Sequence, residues 1–95
     1  MLVKPAYLKR AIDVIFRKVE DKAYIGKLDG TAFELSGVAW LIWQLLDGET
    51  SNEEIIEKIA KDYMLDKIEI EKDLLEFQDM LLENDLAYIV IKDEF

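Results

Sequence analysis

Residues 46–57 read LDGETSNEEIIE. An apolar helical pattern runs into Asp47-Gly48, where Gly48 fits a C-terminal stop. A new pattern starts at Ser51. Ser51 and Glu54 have the spacing of a capping box, in which hydroxyl and carboxylate each satisfy an orphan amide at a helix start. On the N-terminal side, Val38, Leu41, Ile42 and Leu45 follow the i, i+3, i+4, i+7 rule and predict a helix over residues 37–46, capped by Ser36. On the C-terminal side, Ile55, Ile56, Ile59, Ala60 and Tyr63 mark a second apolar stripe. Asp66 and Glu69 repeat the capping-box spacing, and Ile70, Leu74, Phe77 and Leu81 mark a third stripe, with Asn84 expected to end that helix in the left-handed region. Helix, tight turn, helix, short turn, helix is the pattern of a DNA-reading helix-turn-helix.

Upstream the period changes to that of strands. Residues 12–19 (IDVIFRKV) are β-branched and aromatic, Glu20-Asp21 makes a turn, and residues 22–28 (KAYIGKL) alternate again, so the two runs predict a hairpin. Asp29-Gly30 reads as a two-residue hairpin turn into a third strand over residues 31–35. Phe33 and Leu35 then share one face of that strand, Ala32 and Glu34 the other. Residues 86–91 (LAYIVI) fit a short final strand or an apolar tail. The expected fold is α+β and winged-helix-like: a three-stranded antiparallel meander followed by three helices. It forms one domain over residues 1–95, with a core over about 12–90 and an N-terminal arm over 1–11. Trp43 belongs to the core by its position. Trp40 points to the side, as a packing residue or an interface anchor.

Charge argues against the DNA-reading use of this shape. The chain has 12 Lys and Arg against 21 Asp and Glu, a net charge of −9. Lys4, Lys9, Arg10, Arg17 and Lys18 against Asp13 make residues 1–19 net +4, so residues 20–95 carry −13. Such a body repels nucleic acid and anionic membrane. The third predicted helix offers only Lys67 and Lys72 against Glu69, Glu71, Asp73, Glu76, Asp79 and Glu83, whereas duplex affinity comes largely from cations on phosphates. No apolar run approaches the length needed to span a bilayer, and Met1-Leu2-Val3-Lys4-Pro5 leads into no signal peptide, so a cytoplasmic location is expected.

Catalytic chemistry finds little to work with. Cysteine and histidine are both absent, which removes thiolate chemistry, the commonest metal ligand and the usual base near neutral pH. The carboxylates of the third helix alternate with apolar residues, which places most of them on a solvated face. The four glycines are isolated and cradle no phosphate. Neither metal nor cofactor is expected. What remains is a binding module. In a meander the third strand is an edge, with a row of unpaired backbone groups that an extended peptide can join. Two other classes stay open: a winged-helix DNA-binding regulator using the basic arm, and a dimerising structural subunit using residues 86–91 as an edge.

The run LDGTAFELSGVAWLIWQLLDGETSNEEIIEKIAKDY, followed by DLLEFQDMLLENDL, resembles the PqqD-like proteins. The resemblance spans about residues 12–90. It rests on Leu35-Ser36, Ile42-Trp43, Leu45-Leu46-Asp47-Gly48, Thr50, Ile55, Ile59, Ala60 and Tyr63, then Asp73, Phe77, Leu81 and Leu86. It departs from the family pattern at Ser36, where asparagine is usual, at Asn84-Asp85, where a glycine is usual, and at the bulkier Trp40-Leu41. The resemblance implies a non-catalytic, stand-alone recognition element for ribosomally made, post-translationally modified peptides. Such a domain binds a precursor's leader segment as a strand added to its third strand, beside its third helix. It presents that segment to a modifying enzyme, often a radical S-adenosylmethionine enzyme, or to a leader peptidase in lasso-peptide biosynthesis. Carried over, the binding residues are Thr31, Ala32, Phe33, Glu34 and Leu35 on the strand, and Lys72, Asp73, Glu76, Phe77 and Met80 on the helix. The protein itself is expected to be a monomer or weak dimer.

Overall fold

A computed structural model describes residues 7–30 and 32–91. In chain order the elements are β1 (Leu8–Arg10), β2 (Ile15–Val19), β3 (Lys22–Gly26), β4 (Ala32–Leu35), α1 (Gly37–Gln44), α2 (Asn52–Tyr63), α3 (Lys67–Glu83) and β5 (Ala87–Ile89). The class is α+β with three helices and antiparallel strands, as the periodicities require. There are five strands among the described residues, not three, and they form two sheets.

The three predicted strands are β2, β3 and β4, paired antiparallel in that order, with Phe16 opposite Ile25 and Ile25 opposite Phe33. Alternation places Ala23, Ile25 and Leu35 in the core. Glu20-Asp21 is the two-residue turn of the first hairpin, since Val19 pairs with Lys22, and Glu20 takes φ 57° there. The second connection is longer than the Asp29-Gly30 signal suggests. The Gly30 N–H donates to the Lys27 carbonyl at 3.1 Å, so the turn closes on Gly30 (φ 97°) before β4 begins. Thr31 lies outside the described residues.

Each helix start is set by its cap. The Ala39 amide donates to Ser36 Oγ (3.2 Å). The Ser51–Glu54 box closes in both directions, at 3.1 and 3.0 Å. Asp66 accepts from the Ile68 amide (2.9 Å), one residue short of the expected capping-box amide. The end of α3 corrects another expectation. Asn84 has φ −106° and donates its side-chain amide to the Met80 carbonyl (2.8 Å). The left-handed residue is Asp85 (φ 56°). The Leu86 N–H then donates back to the Leu81 carbonyl (2.9 Å), a Schellman closure that drives the Leu86 side chain into the core. At the end of α2, Met64 (φ 54°) and Leu65 close on the Ala60 carbonyl in the same way.

The largest departure concerns the N-terminal arm. Leu8–Arg10 is a strand, paired antiparallel with β5 so that Leu8 faces Ile89 and Arg10 faces Ala87. Leu8 is fully buried. The other side of β1 pairs with the loop after α1: the Arg10 amide donates to the Leu46 carbonyl and the Gly48 amide to the Leu8 carbonyl, both at 3.0 Å. Gly48 is therefore not the stop of α1, which is capped at Leu45. It has φ 80°, and a Cβ there would lie 3.3 Å from Lys9 and Val90. The Asp47 carboxylate folds over the next turn, accepting from the amides of Glu49 and Thr50 at 2.8 Å each.

The buried apolar side chains form one cluster, in which α3 packs on α1, α2 and β5. Trp43, Ile42 and Leu46 come from the α1 region, Ile55 and Ile59 from α2, and Ile70, Leu74 and Leu81 from α3. Each such side chain contributes on the order of 1.5–3 kcal/mol by leaving water. One polar side chain joins them: Gln78 is buried and exchanges hydrogen bonds with Asn52, at 2.7 and 3.5 Å, tying α3 to the start of α2.

Candidate functional site

β4 ends its sheet, so backbone hydrogen bonds leave it on one side only among the described residues. The groups on its other side alternate along the strand and lie ready for a further strand. Ala32 and Glu34 are exposed on the outer face, Phe33 is half-buried, and Leu35 is in the core. The strand passes directly into α1 through the Ser36 cap, which fixes its position.

On α3, Phe77 is buried, Asp73 and Met80 are half-buried, and Lys72 and Glu76 are exposed. Spacings of three and four residues put Asp73, Phe77 and Met80 in one row along a flank of the helix. Phe77 and Leu35 belong to the same core cluster, and Phe33 and Met80 pack against it. β4 and α3 each pack on α1, and no extensive contact joins them directly. The expected strand and helix residues thus stand on two walls sharing α1 and the core beneath. Thr31, the remaining expected residue, is outside the described set. The charged members are Glu34, Asp73 and Glu76 against Lys72.

Sequence reasoning passed over a hollow of about 460 Å³ at the far end of β4, lined by Leu35, Ser36, Val38, Trp40, Tyr63 and Leu65 among others. Trp40 is half-buried and meets the Phe16 ring at 6.1 Å. The apolar period places Tyr63 on the buried stripe of α2, but as the last residue of that helix it is 53% exposed. The signals for this hollow are Trp40, expected at the side as a packing residue or an interface anchor, and the apolar Tyr63-Met64-Leu65 helix end.

Among the described residues no group of three or more Asp or Glu converges on a metal-sized site, and no helix is long and apolar enough to cross a membrane. The Asp47 carboxyl has a displaced pKa. Desolvation pushes it up, but this is outweighed by hydrogen bonds from the Glu49 and Thr50 amides, the Thr50 hydroxyl and its own amide, which leave it below the ordinary carboxylate range. Those bonds fold the α1–α2 loop.

Residues 17–87 match the family model described as coenzyme PQQ synthesis protein D (PqqD). Two solved structures share the fold. One is TbiB1 in complex with the TbiA(beta) leader peptide: TM-score 0.70, 29% identity, covering 90% of this chain and 99% of that one. The other is a lasso peptide synthetase B1 complexed with its leader peptide: TM-score 0.72, 19% identity, covering 87% of this chain and 99% of that one. No curated protein gives a significant match to the chain.

Proposed function

The chain belongs to the PqqD family, and from that premise we propose that it binds the leader segment of a ribosomally made precursor peptide and hands it to a processing enzyme. The observation that carries this reading is the free edge of β4 and the half-buried flank of α3, two walls that both pack on α1. The leader adds as a strand to β4. Its backbone pairs with residues 31–35, and its apolar side chains enter between that strand and α3 near Phe77 and Met80. Main-chain bonds supply affinity, and alternate side chains supply specificity. Glu34, Asp73 and Glu76, opposed by Lys72 alone, favour lysine or arginine in the peptide. The winged-helix-like arrangement then serves as the wall of a peptide groove rather than as a DNA reader. TbiB1, similar over nearly its whole length, is solved with a leader peptide, which supports the same ligand class here.

On this reading the protein is a non-catalytic cytoplasmic binding element, a monomer or weak dimer. Its downstream partner is a radical S-adenosylmethionine enzyme or a leader peptidase. The test is titration of the labelled protein with its cognate leader by amide NMR. Shifts should centre on residues 32–35 and on α3 from Lys72 to Met80. Ala32 and Glu34 lie opposite Gly26 and Tyr24, which bond to β2, so both point their N–H groups to the open edge; proline at either should weaken binding by about 0.5–1.5 kcal/mol or more, the net value of one such bond. Circular dichroism must show the variant folded. Shifts confined to β2 or to β5, with residues 32–35 unmoved, would remove the proposal.

A further inference from the structure

Among the described residues the sheet has a second free edge, β2, on the side away from β4. All five residues of β2 are exposed, and each face of the strand sets one cation among apolar side chains: Arg17 shares a face with Ile15 and Val19, and Lys18 shares the other with Phe16. Beside its start lies a hollow of about 350 Å³ lined by Lys9, Arg10, Ile12, Val14, Phe16 and Asp47 among others. Arg10 is held in a defined place there. Its guanidinium sits 5.6 Å from the centre of the Phe16 ring and 5.9 Å from that of Trp43, and Phe16 meets Trp43 edge-on at 5.8 Å. Trp43 is fully buried, so this stack is anchored in the core. Among the described residues neither Lys9 nor Arg10 forms an ion pair with a carboxylate. Asp47 also faces the hollow, but its carboxylate is engaged by the Glu49 and Thr50 amides. Ile12 stands fully in solvent at the rim.

We propose that the β2 edge and the Arg10 hollow form a second docking surface, for a segment of a different protein that alternates acidic and apolar side chains. Charge complementarity selects this occupant: Arg10, fixed over two aromatic rings, accepts a carboxylate at little further cost in side-chain entropy, and Arg17 and Lys18 add positive charge along the strand. The same charges disfavour a second copy of this chain. Two β2 edges meeting would bring Arg17 and Lys18 against their own counterparts, which is how edge cations prevent self-pairing. The remainder of the chain is strongly acidic, so this basic strip is also where an acidic partner is steered. Because β2 and β4 are opposite edges of one sheet, both surfaces can be occupied together. The inference holds whether or not β4 takes a leader.

The experiment uses the full chain and two synthetic heptapeptides, one alternating glutamate with valine and phenylalanine, the other with lysine in place of glutamate. The glutamate peptide should shift the amides of residues 10 and 12–19 and the Trp43 indole signal, leaving residues 32–35 unmoved. The lysine peptide should not bind. Arg10→Glu should weaken the glutamate peptide at least tenfold. Lys9→Glu, at an exposed side chain that leaves the aromatic stack intact, should weaken it several-fold, so the outcome does not rest on the folding of one variant. Equal binding of both peptides, or unchanged affinity in both variants, overturns the proposal. So does sedimentation showing a dimer that the glutamate peptide dissolves, since a second copy would then be the occupant.

Discussion

Replacing Gly48 by alanine tests the contact that joins the α1–α2 loop to the terminal sheet. Gly48 has φ 80°, and an added Cβ would stand 3.3 Å from Lys9 Cβ, Lys9 Cδ and Val90 Cγ2. A side chain in the left-handed region costs about 1–2 kcal/mol. Restricting the unfolded chain returns about 0.4–1 kcal/mol. The three contacts must also yield by a few tenths of an ångström. Lys9 Cδ can swing aside, but Lys9 Cβ is fixed by a residue that pairs with both Tyr88 and Asp47. Local overpacking of this kind adds roughly 1 kcal/mol. The net loss is about 2 kcal/mol, against a total stability of roughly 5–14 kcal/mol for a chain of this length. At about 4–8 °C per kcal/mol, Gly48→Ala should melt roughly 8–16 °C below the parent protein. The control is Gly37→Ala. Nothing lies within 4 Å of its Cβ position and it opens α1, so its melting point should hold or rise. Thermal unfolding followed by circular dichroism reads both. A Gly48→Ala midpoint within about 2 °C of the parent would show that β1, the loop and β5 do not pack as described.

Leu81 is fully buried on α3, and Leu81→Ala should cost about 2–5 kcal/mol in chemical denaturation; an unchanged midpoint would mean the helix presents another face. Asp85→Gly should stabilise the protein by up to about 1 kcal/mol, because a non-glycine residue there holds φ 56°; a lower melting point would contradict that account. Asp47 has a folded pKa below its unfolded value, so its contribution is full above the unfolded value and is lost as pH falls through the folded one. The stability gap between the parent and Asp47→Asn should therefore be present at neutral pH and close below about pH 4. A gap independent of pH would show that the charge on Asp47 has no part in folding the loop.

The elements that were legible in the sequence are those whose signals are local. Capping at Ser36, Ser51 and Asp66 depends on side chains within three residues of the amides they serve. The stripes of α2 and α3 repeat often enough to identify the buried face, and Leu74 and Leu81 lie where the period put them. The misses are non-local. β1 is too short for a period to show, and its partner β5 lies at the other end of the chain. Gly48 resembles a helix stop because a positive φ is needed both at helix ends and in tight loops. Only the approach of Lys9 and Val90 separates the two. Asn84 and Asp85 both tolerate the left-handed region, and the closure of Leu86 onto Leu81 decides between them. Gln78 gave no warning of burial, since its partner Asn52 comes from another helix.

The candidate site depends on one of these non-local facts. Whether a strand is an edge is settled by what else pairs with it, and the chain contains a free apolar candidate in residues 86–91. Had that segment joined β4, the backbone groups of residues 32–35 would be spent inside the sheet and no peptide could add there. It pairs instead with Leu8–Arg10. That placement follows from the end of α3. The left-handed Asp85 turns the chain, Leu86 is buried, and the Ala11 amide donates to the Leu86 carbonyl at 3.0 Å. The β1 register is fixed in turn by Leu46 and Gly48 on its other side. The stretch that reads LDG therefore does more than separate two helices. It holds β1, β1 holds β5, and with β5 engaged elsewhere β4 keeps its open side.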